Sequence, residues 1–147
     1  MRRPEYEAAR WLAQAQDDLR FAEWVLEEDR FFDKGCFIAQ QAGEKALKAL
    51  LYSGGARMVL GHSCAELLAK LILGFPELAT LRDPATVLDR FYIPTRYPNG
   101  LPGGAPYESF RRSDLEQALA MARQIVQSVA RRLAGKDVAD PGEPNLP

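Results

Sequence analysis

The sequence predicts an all-α fold, an up-and-down antiparallel bundle of about five helices, two of them long. Apolar residues recur at steps of three and four over two extended segments, helix-capping spacings stand ahead of the later ones, and no run alternates with the period of a strand. There is also no internal repeat.

The first element is predicted from Pro4 to about Asp29, where Ala8, Leu12, Ala15, Leu19, Ala22 and Leu26 mark one face of a helix. Its alternate core positions are alanines, which let a neighbouring helix approach closely, while Trp11 and Val25 widen the stripe. Asp33-Lys34-Gly35 reads as a break, and a second helix is expected from about Cys36 to Tyr52, stopped by Ser53-Gly54-Gly55. Ser63 followed by Glu66 has capping-box spacing and opens a third helix with Leu67, Leu68, Leu71 and Ile72 on its apolar face. Gly74 closes it, and Pro76 can start a short turn. Asp83-Pro84 then reads as cap and first residue of a fourth helix, with Val87, Leu88, Phe91 and Tyr92 on its core side and Pro94 at its end. From Pro94 to Arg112, nineteen residues hold four prolines and three glycines and no periodic element. Ser113 and Glu116 form a second capping-box spacing, ahead of Leu115, Leu119, Ala122, Val126, Val129 and Leu133 in a last long helix. Residues 1–135 therefore read as one helical domain, and 136–147, polar with proline and glycine, as a disordered tail.

A chain of 147 residues, 47% of them hydrophobic, is long enough for a single core that buries about two thirds of its unfolded surface. With 19 Lys and Arg against 20 Asp and Glu, the net charge of -1 gives no general attraction to a polyanion, so a phosphate site has to be local and DNA binding is not expected. Cys36 and Cys64 lie in apolar stretches without metal-ligand spacing, which fits reduced, buried thiols, and no metal site is read. No apolar run approaches the ~20 residues of a membrane span, and Met-Arg-Arg-Pro-Glu-Tyr leads into a charged helix rather than a signal peptide. These features predict a cytoplasmic protein that makes no membrane contact.

The second helix carries most of the chemical information. At about 100° per residue, Cys36, Ala39, Gly43, Ala46, Leu47 and Leu50 share an apolar arc that includes Gln40, a buried amide that must find partners. The adjoining arc mixes Phe37, Gln41, Glu44, Lys45, Lys48 and Tyr52. It reads either as a wet surface or as a face for a second subunit or ligand, since Phe37 and Tyr52 are costly to expose.

The run from Cys36 to Leu50, preceded by Trp11, Ala15, Asp18 and Leu19, resembles the HEPN family, a group associated with nucleotide and RNA chemistry. Gly61-His62-Ser63 and Tyr92-Ile93-Pro94-Thr95-Arg96-Tyr97-Pro98 match it further on, and the four motifs in family order cover residues 5 to 133. The resemblance implies a helical bundle, a homodimer or higher oligomer, that works beside a minimal nucleotidyltransferase, in some cases as a toxin–antitoxin pair. No Gly-Ser with paired Asp-x-Asp carboxylates occurs here, so that enzyme would be a separate protein. The same domain type serves in the chaperone-like protein sacsin, so a purely structural dimer is a third reading.

Many HEPN proteins are metal-independent endoribonucleases with the signature Arg, four to six residues, His. Arg57 and His62 meet that spacing, although Met58 stands where a polar residue is common. Imidazole can take a proton from a ribose 2'-hydroxyl while guanidinium stabilises charge on the phosphate; His62 equally reads as a structural residue of the third helix start. Arg96-Tyr97 offers a second site. The arginine makes a forked phosphate contact, the tyrosine a stacking face, and Pro94 and Pro98 brace the loop. Lys45 and Lys48 would complete a pocket for ATP or another nucleotide if the loop folds over the second helix; otherwise they are solvated lysines, and Arg96 is ion-paired with Asp18 or Glu44. Tyr107, Phe110, Arg111 and Arg112 carry the loop on, ordering on a partner or pinning it to the bundle.

Overall fold

The computed structural model of the chain describes residues 3–139. Six α-helices follow one another in these residues, and none of the residues forms a strand: α1 (Pro4–Glu28), α2 (Phe32–Ser53), α3 (Cys64–Ile72), α4 (Arg82–Asp89), the single turn α5 (Pro106–Ser109) and α6 (Arg112–Ala139). The all-α bundle is the class the sequence predicts.

Helix α2 is the axis of the bundle, with α1 and α6 packed along it and α3 and α4 against its other side. Its small residues explain how one helix accepts so many neighbours: Ala39, Ala42, Ala46 and Ala49 are all fully buried, and small side chains let backbones come close. Ala8, Ala15 and Ala22 of α1 and Ala118 and Ala122 of α6 do the same from the facing sides. Larger apolar side chains, Leu47, Leu67, Leu68, Leu88, Leu115, Leu119 and Ile125, fill the space between. Cys36 and Cys64 are free, buried thiols whose pKa is pushed far up by burial, with Asp114 and Asp33 adding to the effect at Cys36 and Asp89 and Glu44 at Cys64.

Several boundaries differ from the sequence expectation. Asp33-Lys34-Gly35 does not break the chain but forms part of the first turns of α2. The turn lies earlier, where Asp29 (φ 59°) and Phe31 (φ 59°) both take left-handed conformations. Gly35 serves packing instead, because a Cβ there would sit 2.9 Å from Leu115 and 3.0 Å from Val25. Helix α4 starts at Arg82, ahead of Asp83, and ends at Asp89 rather than near Pro94. The stretch after Pro94 holds a 3-10 turn at Pro98–Gly100 as well as α5. Helix α6 begins one residue before Ser113, with Asp114 Oδ2 accepting from the Arg111 N–H at 2.8 Å. It runs through Gly135 to Ala139, four residues into the expected tail; the rest of that tail, 140–147, lies outside the described residues.

Gly43 is the closest approach of α2 to α4: a Cβ there would meet Leu88 Cδ1 at 2.5 Å, with Cys64 Sγ and Ile125 Cδ1 each 3.6 Å away. Gly43→Ala is therefore expected to lower the unfolding free energy by up to about 2 kcal/mol in urea titration. The overpacking cost of about 1–3 kcal/mol outweighs the roughly 1 kcal/mol that alanine gains in a helix.

Candidate functional site

Because α2 is surrounded, part of the polar arc read from its sequence lies inside the protein. Glu44 and Lys48 are buried at 3% and 6% exposure, and their side chains meet at 3.0 Å, Nζ to Oε2. A buried carboxylate survives only with its lone pairs filled, and here each oxygen has two partners. Oε1 accepts from Gln40 Nε2 (3.3 Å) and Gln41 Nε2 (3.2 Å), while Oε2 faces Lys48 Nζ and His62 Nδ1 (3.2 Å). Gln40, the buried amide, also donates to the His62 carbonyl (3.0 Å) and accepts from Gln41 (2.8 Å) through Oε1. One network thus ties α2 to the segment that opens α3.

His62 is exposed, and its imidazole stacks on the Tyr92 ring (centroids 4.9 Å apart, planes at 16°). Nδ1–H donates to Glu44 in the tautomer that this contact favours, which leaves Nε2 with a lone pair. Tyr92 is packed from a second direction by Arg96, whose guanidinium carbon lies 4.4 Å from the Tyr92 centroid, 4.4 Å from that of Phe37 and 5.1 Å from that of Tyr97. Arg96 Nε donates to the Tyr92 carbonyl (2.9 Å). Among the described residues no carboxylate pairs with Arg96, so its terminal nitrogens keep their donors. Tyr97 is half exposed. Imidazole, guanidinium and three phenyl or phenol rings therefore meet on one face, assembled from α2 (Phe37), the α3 start (His62) and the outlet of α4 (Tyr92, Arg96, Tyr97).

The other candidates fall differently. Lys45 donates to Asp18 Oδ2 at 2.7 Å, and Asp18 is held again by Gln14 (3.1 Å). Lys48, besides its pairing with Glu44, lies 5.6 Å from the Trp11 ring centroid. The acids suggested as partners for Arg96, Asp18 and Glu44, are thus taken by lysines, and the expected pocket of Lys45, Lys48 and Arg96 is reduced to Arg96. Tyr52 is buried, stacked on Trp11 (5.4 Å), and its hydroxyl accepts from the Val59 N–H (3.1 Å); it faces the interior and offers no oligomer face. Phe37 and Gln41 are half-buried beside the His62 network. Arg57 is exposed in the loop between α2 and α3, and no hydrogen bond or ion pair joins it to His62. Arg112 closes the bundle instead of a site, bridging Asp29 (2.9 Å), the Leu26 carbonyl (3.1 Å) and Glu116 (3.2 Å). Among the described residues no three His, Cys, Asp or Glu side chains cluster as a metal site, and no helix is long and apolar enough to cross a membrane. An open cleft of about 700 Å³ runs beside Trp11, Gln14 and Lys45, away from the His62 and Arg96 pair.

Sequence reasoning places Tyr92 on the core side of the fourth helix and misses it as a site residue, although Tyr92 and Arg96 are spaced by four, a helical period that carries past the end of α4. Removing Glu44 tests the network directly. Glu44→Ala leaves Lys48 buried without its partner and should cost about 3–5 kcal/mol in chemical denaturation, while Glu44→Ala combined with Lys48→Met should recover most of that loss.

A family model described as the HEPN domain matches residues 8–133 of the chain. Among solved structures, the chain is similar to TT1696 from Thermus thermophilus, with 39% identity and a TM-score of 0.79 over 86% of this chain and 98% of that one. It is also similar to ST0689, an archaeal HEPN homologue, at 32% identity and a TM-score of 0.72 over 90% and 99% of the two chains. A HEPN domain protein from Thermotoga maritima, tm0613, shares 31% identity with a TM-score of 0.67 over 85% and 98%. No curated protein matches the chain.

Proposed function

This chain belongs to the HEPN domain family, and on that premise we propose that it is a nucleotide-binding module whose phosphate and base contacts come from Arg96, His62 and Tyr97. The observation that carries this reading is the state of Arg96. Lys45 and Lys48 are neutralised by carboxylates, whereas the Arg96 guanidinium is braced between aromatic rings with its outer nitrogens uncommitted. Such a group binds a phosphate in forked geometry with little ordering cost. Tyr97, half exposed beside it, supplies a face for a base. The module acts with a separate minimal nucleotidyltransferase, as in a toxin–antitoxin pair, and as a homodimer or higher oligomer. Support for assembly is exposed apolar surface: Met58 at 73% exposure, Leu60, two positions before His62, at 71%, and Ile93, next to Tyr92, at 44%. Calorimetric titration with ATP, GTP and AMP tests the site. Arg96→Ala should weaken binding at least about tenfold, and Lys45→Ala, which removes a cation already committed to Asp18, should change it little. No binding by the wild type, or equal binding by Arg96→Ala, removes the site.

One observation favours a second reading, metal-independent cleavage of RNA across a dimer with Arg57. Glu44 holds His62 by Nδ1, so that Nε2 is free to take the 2'-hydroxyl proton as the 2'-oxygen attacks phosphorus and the 5'-oxygen departs. Arg57 of a second protomer would stabilise the charge on the phosphate. In a cleavage assay with chelator present, His62→Ala should lower the rate by about 100-fold or more; cutting that persists in this variant excludes the reading.

A further inference from the structure

Asp89 is electrostatically misplaced in its own helix. It is the last residue of α4, where the negative end of the helix dipole disfavours a carboxylate. A local preference violated in this way is commonly offset elsewhere in a fold, and here the compensation is visible. Asp89 Oδ1 accepts from the Cys64 N–H at 2.6 Å, and Oδ2 accepts from the Ser63 hydroxyl at 2.6 Å and the Ala65 N–H at 3.3 Å. Cys64 and Ala65 are the first two residues of α3, whose N–H groups have no partner within their own helix. Ser63, the N-cap of α3, is itself occupied with Glu66, from whose N–H it accepts at 3.1 Å. The carboxylate of one helix therefore caps the start of another, where the positive end of the dipole favours it.

Among the described residues, every hydrogen bond between segment 62–65, which carries His62, and segment 89–97, which carries Tyr92 and Arg96, ends on Asp89. We infer that Asp89 is a positioning residue of the His62 and Arg96 site: it touches no ligand, but it sets the start of α3 against the outlet of α4 so that His62 lies on Tyr92 in reach of Glu44. Its relation to ligand binding rests on the function proposed above, while its hold on His62 does not.

His62 is the only histidine of the chain, so its ring nitrogens give unambiguous NMR signals with or without ligand. Wild type and Asp89→Asn, whose amide oxygen still accepts from the Cys64 N–H while its NH2 can donate to the Ser63 hydroxyl, should show one tautomer with the proton on Nδ1. Asp89→Ala should show the two tautomers averaging, with AMP affinity down about five- to tenfold. In a His62→Ala background, Asp89→Ala should cost nothing further. Ring signals of Asp89→Ala that match wild type overturn the inference, and so does an equal loss of affinity with and without His62. Should Asp89→Ala not fold, Ser63→Ala, which removes one of the Asp89 contacts, must move the ring signals in the same direction by less; unmoved signals then overturn it. A wild type that binds no AMP defeats the nucleotide-binding reading, and the ring signals still decide the role of Asp89.

Discussion

The arrangement around the site depends on one constraint: the Glu44 carboxylate is buried on the central helix of the bundle and must be fully satisfied there. A charge at that depth is stable only with its lone pairs filled. Lys48 and Gln41 come from the same helix face, Gln40 from the turn before, and His62 from another segment. The last partner couples that stability requirement to the position of an exposed imidazole. Satisfying Glu44 holds the imidazole by one nitrogen, and the ring is then stacked on Tyr92 with its other nitrogen available. Replacing Glu44 and Lys48 together by apolar side chains of comparable volume could fill the same space with little loss of stability, but such a pair could not orient a histidine.

The same requirement separates the cations. Lys45 and Lys48 are flexible ammonium groups that neutralise Asp18 and Glu44 within the fold. Arg96 is held by ring faces and by one carbonyl rather than by an acid. Aromatic faces stabilise a guanidinium without cancelling its charge, which is the difference between a structural cation and one available to an anion. In a chain of net charge -1 there is no general field to draw in an anion, so any such attraction has to come from a local arrangement of this kind.

Most of the architecture was legible because it rests on periodicity. The alanine spacing of α1, the apolar face of α3, the Ser63 cap and the repeat of α6 all reappear as buried faces and helix ends. Where the reading slipped, a residue had two physical uses and the sequence shows only the residue. Gly35 reads as a helix breaker and is a packing residue. Asp89, which no sequence signal singled out, ends one helix and caps a different one. The stretch from Pro94 to Arg112 reads as loop because short turns have too few residues to express a period.

The sequence by itself determined the all-α class, the family, the small residues that let the helices close on one another, and the set of polar groups from which a site can be made. The tertiary structure alone decided which of those groups remain available. Ion pairing depends on distances across helices, such as Lys45 to Asp18, twenty-seven positions apart, and no local pattern encodes them. A positive charge written into a helix face is neutralised or left open according to what the neighbouring helix places opposite it, and only the packed bundle specifies that neighbour.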